Sequence, residues 1–108
     1  MLPLMLTAVK ANRLSLARLT ELMFDNPRRI YDLPEQPDTF IEVDPDVSYT
    51  LSNEDLYSKC GWNPFVGQAL TGRVERVTLR GQLVYDVAQP TKASKILASP
   101  GSGRIIPA

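Results

Sequence analysis

The sequence predicts an α+β chain, helical over residues 1–35 and built of short antiparallel strands over residues 36–108. Three observations predict it. Apolar residues recur at helical spacing ahead of Pro34, and from Phe40 onward they alternate with polar residues at period 2. Between the two patterns lies Pro34-Glu35-Gln36-Pro37, a stretch that suits neither helix nor strand interior.

Taken in order, Leu2, Met5, Leu6 and Val9 fall on one helical face, with Pro3 suited to the first turn and Asn12 to the end. Little of its circumference is polar, because Leu4 adds apolar surface on a second side. Such a short helix sits against more protein than it carries itself, so an exposed apolar face is expected over residues 2–9. Ser15 is the natural N-cap of a second helix reaching about Asp25, with Leu16, Leu19, Leu22 and Met23 turned to a core. Asn26-Pro27 should then break and restart the chain, giving one or two turns from Arg28 to Leu33.

In the second half, residues 40–43 and 47–51 read as strands on either side of a turn at Asp44-Pro45-Asp46. Ser52 and Asp55 have the spacing of a capping box over a single helical turn. Residues 59–72 are irregular, and their order depends on Trp62, Phe65 and Leu70 being buried as anchors. The organising element is a hairpin over residues 73–86. Val77 and Leu79 alternate with Thr78 and Arg80, Leu83 and Tyr85 alternate with Gln82 and Val84, and the turn falls at Arg80-Gly81. Val74 is out of step with Val77, which predicts a bulge near Glu75 and Arg76. After Asp86 the pattern fades: residues 89–94 are loop, Ile96-Leu97 is a brief apolar pair, and residues 100–103 turn again.

The 108 residues suffice for one small domain or a piece of a larger one. Apolar residues at 44% and charged residues at 22% exclude global disorder. Twelve basic and twelve acidic side chains cancel, which argues against nucleic-acid or polybasic membrane partners. No apolar run approaches the roughly 18–20 residues of a membrane span. No positive charge precedes residues 2–9 as in a signal peptide, and the stripe around Leu19 reads better as a core-facing helix than as a mitochondrial presequence. Cys60 is the single cysteine, so no internal disulfide can form and a reducing, cytoplasmic setting is expected.

The chain has no histidine. That removes the commonest general base near neutral pH and a frequent metal ligand, and with it the Ser-His-acid and Cys-His arrangements. Neither phosphate-binding glycine loop occurs; Gly101-Ser102-Gly103 is too short. Asp44 and Asp46 read as turn formers rather than calcium ligands, and Cys60 as a neutral loop residue rather than a reactive thiol. Arg28 and Arg29 read as solvated or ion-paired rather than phosphate-binding. Trp62 and Phe65 read as anchors of their loop rather than the lining of a ligand pocket.

Five blocks nevertheless resemble, in order, the C-terminal end of a dihydroorotase of the cyclic amidohydrolase group. They are LPLMLTAV at residues 2–9, NPRRI at 26–30, YSKCGWNPFVG at 57–67, GRVERVTLRGQLVY at 72–85 and PGSGR at 100–104. The block around Trp62 points to dihydroorotase above dihydropyrimidinase and allantoinase, and to the type fused into multifunctional pyrimidine-synthesis polypeptides. The resemblance implies that residues 1–35 are the last helices of a (β/α)8 barrel and that residues 36–108 supply part of a small β-sandwich. It implies zinc in the full-length family, held by histidines, a carboxylated lysine and an aspartate on strands that would precede Met1. On that reading the chain itself contributes no catalytic, cofactor-binding or metal-binding residue and is inactive alone. Its partner would be the upstream barrel, or a second copy through the apolar N-terminal helix. The alternatives are a non-catalytic structural or interaction module from a degenerate amidohydrolase domain, or a segment of a dihydropyrimidinase or allantoinase relative. After Tyr85 the family usually makes a short acidic-glycine turn into the next strand, where this chain has Val87-Ala88-Gln89-Pro90, so the resemblance does not fix the last strand or its pairing.

Overall fold

The computed structural model describes residues 1–106 as an α+β arrangement in which the first helix lies against a three-stranded antiparallel sheet and the later helical segments pack on one another and on that helix. Helix α1, Leu2–Lys10, has Pro3 in its first turn. It ends as the sequence requires, because Asn12 takes a left-handed φ of 56°. The Arg13 N–H then donates to the Ala8 carbonyl and the Asn12 N–H to the Val9 carbonyl, each at 3.0 Å, the double closure of a Schellman end.

Helix α2, Leu16–Thr20, is capped by Ser15, whose hydroxyl accepts from the Arg18 N–H at 3.1 Å. The expected break at Asn26-Pro27 does not occur. A π-helical turn over Glu21–Asp25 carries the backbone straight into α3, Asn26–Ile30, and Asn26 is itself helical rather than a cap. The reason lies in Pro27, which has no N–H to give to the preceding turn. The wider turn, with the Asn26 N–H donating to the Glu21 carbonyl, accommodates its ring without a kink. The end of α3 repeats that of α1: Asp32 sits at φ 48° and the Leu33 N–H donates to the Arg28 carbonyl at 3.0 Å.

The sheet has the order β1-β2-β3, with β1 at Phe40–Thr50, β2 at Ala69–Leu79 and β3 at Gln82–Asp86. Residues 40–51, expected as two strands around a turn, form one. Both halves pair with β2, from Phe40 opposite Thr78 to Thr50 opposite Ala69. Asp44-Pro45-Asp46 is instead a bulge, where Asp44 Oδ1 accepts from the Asp46 N–H at 2.9 Å and the three residues between Asp44 and Ser48 face Gly72 alone. The second bulge lies where the apolar phase slips. Glu42 pairs with Arg76 and Val43 with Val74, so Glu75 is left out of the ladder. The hairpin turn is Arg80-Gly81, at φ 51° and 75°, the two positive angles of a tight right-twisting loop. Beyond β3 only Ile96 forms a β-bridge to the sheet among the described residues, opposite Tyr85.

Between β1 and β2, Asn53–Asp55 is a 3-10 turn closed by the predicted capping box, with the Ser52 N–H donating to Asp55 Oδ2 at 2.8 Å.

Helix α1 and strand β2 meet at Gly72. A Cβ there would stand 2.5 Å from Leu6 Cβ, so the helix lies on the sheet only because residue 72 has none, and its φ of 105° suits glycine alone. Thr7 fixes the seam. Its hydroxyl accepts from the Thr71 N–H at 2.9 Å and lies within hydrogen-bond distance of the Pro3 carbonyl at 2.8 Å and the Thr71 carbonyl at 3.2 Å. At the far end Lys10 reaches Asp46 in the β1 bulge at 2.6 Å.

Leu6, Leu19 and Leu70 are the buried apolar residues among those described. The remaining apolar residues of α1 are half-buried under the sheet, so the exposed face expected at residues 2–9 is partly covered. The open apolar surface lies instead on the next helical segment. Leu16, Leu22 and Met23, expected in a core, are exposed, as are Phe24, Ile30 and Tyr31. The anchors of the irregular segment also differ: Leu70 is 3% exposed, whereas Trp62 is 65% exposed and Phe65 38%.

Candidate functional site

Two features of the surface are candidates for function: the apolar face of α2, the π turn and α3, and a cleft beside the sheet. The face follows from local geometry. The π turn keeps Leu22, Met23 and Phe24 on a continuous helix with Ile30, and only Leu19 of this stretch reaches the interior. Its neighbours are solvated ion pairs, Arg18 with Glu21 at 2.6 Å and Arg28 with Glu35 at 2.7 Å.

The cleft, of about 380 Å³, is lined by Tyr49 of β1, Arg73 of β2 and Tyr85 of β3, with Tyr57, Lys92 and Lys95 from the connecting segments. Tyr49, Arg73 and Tyr85 come from the three strands and meet where bulges and the positive φ of Gly72 interrupt strict alternation. The capping box and the 91–94 loop close the sides, the latter through the Thr91 N–H donating to Ser94 Oγ at 3.0 Å. Tyr57 and Lys92 lock across it: the Tyr57 hydroxyl donates to the Lys92 carbonyl at 3.0 Å, while the Lys92 ammonium stands 5.1 Å from the Tyr57 ring centre and donates to the Leu56 carbonyl. Arg73 is held by Glu75, with Nε and Nη2 donating to Oε1 at 2.9 and 2.8 Å.

Burial pushes the Tyr49 phenol above its ordinary value, and the Asp55 carboxylate adds to the shift while Arg73 opposes it. Burial likewise raises Tyr85, with Tyr57 adding and Arg73 opposing. Both phenols are therefore neutral near pH 7. A neutral phenol can donate and accept hydrogen bonds but does not serve as a base.

The residues weighed from sequence fall as follows. Asp44 and Asp46 are joined by a backbone bond within the bulge. Arg28 is ion-paired, and Arg29 Nη2 donates to Asn26 Oδ1 at 3.1 Å. Cys60 is exposed; its hydrogen bond with Ser58 Oγ at 3.3 Å, then the backbone at Trp62, draw the thiol below its ordinary value. The open surface gives Trp62 neither a core nor an enclosing pocket wall. Among the described residues, no three His, Cys, Asp or Glu side chains converge as a metal site would need. The tyrosine cleft was not legible from sequence, since its members are spread from residue 49 to 95 and form no linear motif. The one local signal was the period-2 placement of Tyr49 and Tyr85.

No protein-family model matches the chain. It is 47% identical over 102 residues to the multifunctional protein pyr1-3 of Dictyostelium discoideum and 39% identical over 104 residues to the multifunctional protein CAD of Squalus acanthias. These alignments cover 94% and 96% of this chain, which spans 4% of each relative's length. It is also 32% identical over 89 residues to allantoinase of Escherichia coli, covering 76% of this chain and 20% of that enzyme. In structure it resembles the inactive dihydroorotase-like domain of a Chaetomium thermophilum CAD-like multifunctional protein, with a TM-score of 0.68 and 35% identity over 77% of this chain and 23% of that one. Its homologues are thus CAD-type multifunctional proteins of pyrimidine synthesis, with allantoinase a further relative.

Proposed function

We propose, from the premise of that homology to a dihydroorotase-like domain, that this chain is the C-terminal segment of such a domain and supplies structure rather than chemistry. On this reading residues 1–35 end an amidohydrolase barrel, and residues 36–108 contribute strands to a small β-sandwich. The whole domain would interconvert carbamoyl-aspartate and dihydroorotate, or act on a related cyclic amide as in allantoinase. Its zinc ligands and proton-transferring groups would lie upstream. The chain has no histidine and, among the described residues, no cluster of carboxylates, so the metal is assigned to the upstream polypeptide and no step is derived through it.

The observation that carries this reading is the uncovered surface. A folded monomer of 12.0 kDa is expected to expose about 6,000 Å². This chain exposes 8072 Å², an excess of roughly 2,000 Å² that compares with one side of a large obligate interface. Its radius of gyration, 15.2 Å, likewise exceeds the about 13 Å of a compact domain of this length. The exposed apolar residues of the helical segment, Leu22, Phe24 and Ile30 among them, are where that partner would sit.

The test is an assay of dihydroorotate ring opening with added zinc. The chain alone should show no rate above background, and a measurable rate would overturn the assignment of the chemistry to upstream groups. Sedimentation tests the missing partner: a well-behaved monomer at micromolar concentration would count against it. A second reading is favoured by the Chaetomium neighbour, described as inactive. There the parent domain would itself be a scaffold, and the intact polypeptide would then lack the ring-opening activity too.

A further inference from the structure

The two ends of the second half of the chain meet at the hairpin turn, where Arg80 lies beside the Gly101-Ser102-Gly103 loop and Arg104. A cleft of about 360 Å³ opens between them, lined by both arginines, Gln82, Ser102 and the flanking glycines over Leu79. No carboxylate side chain lines it, and Glu35 and Asp38 line the adjoining cleft that shares both arginines. Among the described residues neither arginine is in an ion pair, a state they share with Arg13, Arg29, Lys59, Lys92 and Lys95.

Arg80 is held in place rather than free. Its Nη2 donates to the Ser102 carbonyl at 3.2 Å, and its backbone N–H donates to Thr39 Oγ1 at 3.1 Å, while the next residue, Gly81, donates to the Asp38 carbonyl at 2.8 Å. One guanidinium nitrogen is thereby engaged, and the others remain available for a ligand. The backbone makes the choice of side chain unusual. Arg80 sits at φ 51°, the first position of a turn that asparagine or glycine occupies without strain. A non-glycine residue kept in such a conformation points to a use for its side chain.

From this convergence we infer that the cleft between Arg80 and Arg104 is a binding site for a phosphoryl group, free or carried by a small phosphate monoester. Two guanidinium forks present planar pairs of donors that match the oxygens of a doubly charged anion. The Gln82 amide and the Ser102 hydroxyl line the same cleft and are chemically suited to donate to the remaining oxygens. Leu79 supplies an apolar wall for the organic part of an ester. The site is independent of whether any upstream barrel is catalytic.

The test is calorimetric titration of the full chain with inorganic phosphate and, separately, with phenyl phosphate, at low ionic strength. Saturable binding is expected, weakened about tenfold by Arg80→Gln and by Arg104→Gln and unchanged by Arg18→Gln. Arg80→Gly separates binding from folding: glycine relieves the positive φ, so the melting temperature should hold or rise while phosphate binding falls. Tighter binding of phenyl phosphate assigns the site to an ester, and equal binding assigns it to the free ion. Absence of saturable binding, or equal losses from Arg18→Gln and the two cleft variants, would overturn the inference.

Discussion

Replacing Gly72 with alanine tests the join between helix and sheet. The new Cβ would lie 2.5 Å from Leu6 Cβ and 3.1 Å from Leu6 Cδ1. Ordinary carbon contacts lie at about 3.5–4.0 Å, so α1 must retreat by about 1 Å or β2 must bend. The Leu6 Cβ is fixed to the helix backbone and cannot swing aside. Retreat lengthens the 2.9 Å bond from the Thr71 N–H to the Thr7 hydroxyl and lets water reach Leu6, which is 3% exposed. Overpacking of this kind costs about 1–3 kcal/mol, and a side chain at the 105° φ adds about 1–3 kcal/mol.

Gly81→Ala is the matched control. It too places a side chain at positive φ, 75°, but nothing stands within 4 Å of its Cβ, so it should cost only about 1 kcal/mol. The assay is hydrogen exchange at the Thr71 amide in the polypeptide that carries this segment. Gly72→Ala should weaken the seam by about 3 kcal/mol and speed exchange there roughly 100-fold, against a few-fold for Gly81→Ala. Equal effects from the two substitutions would refute the argument that helix and sheet meet through a missing Cβ.

Three further outcomes are expected. Ser15→Ala should cost about 1 kcal/mol by leaving the Arg18 N–H without its partner, read as faster exchange in α2, and an unchanged rate would show the cap to be idle. Tyr49 and Tyr85 hold their protons above the ordinary 10.0, so the folded state binds more protons than the unfolded one at alkaline pH. Their contribution is full below about pH 10 and is lost as pH rises through the raised values. The late part of the phenolate absorbance titration should vanish in Tyr49→Phe and Tyr85→Phe, and an unaltered curve would contradict the burial. Leu22→Gln with Phe24→Gln should improve the solubility of the isolated chain at little cost in helix content by circular dichroism. The same pair should weaken the complex if that face docks on upstream protein, and unaltered association would place the interface elsewhere.

The parts of the fold legible in the sequence are those that neighbouring residues decide together. Asn12, Ser15, Ser52 with Asp55, and Arg80-Gly81 end or begin elements through bonds within a few residues, and each does so in the structure. The phase slip from Val74 to Val77 was enough to place the bulge at Glu75. What local reasoning misread was set by distant partners. Asp44-Pro45-Asp46 has the composition of a turn, but β2 pairs on both sides of it and turns it into a bulge. Pro27 reads as a break until the π turn gives its ring room. Leu16, Leu22 and Met23 have the periodicity of a core-facing helix, and periodicity does not say whether the core they face is in the same chain. The tyrosine cleft and the Arg80–Arg104 pair join residues dozens of positions apart, so only the folded chain brings them together.

The outer rim of β1 has no strand beside it among the described residues, and eleven extended residues with free backbone groups are a template on which other chains can stack. The bulge spoils that template at its middle. Pro45 has no N–H to offer an incoming strand, Asp44 and Asp46 place negative charge on either side of it, and the local twist prevents a straight ladder from running the whole length. The kink that fits β1 around Gly72 therefore also guards the segment against fibril growth whenever its docking face is left bare.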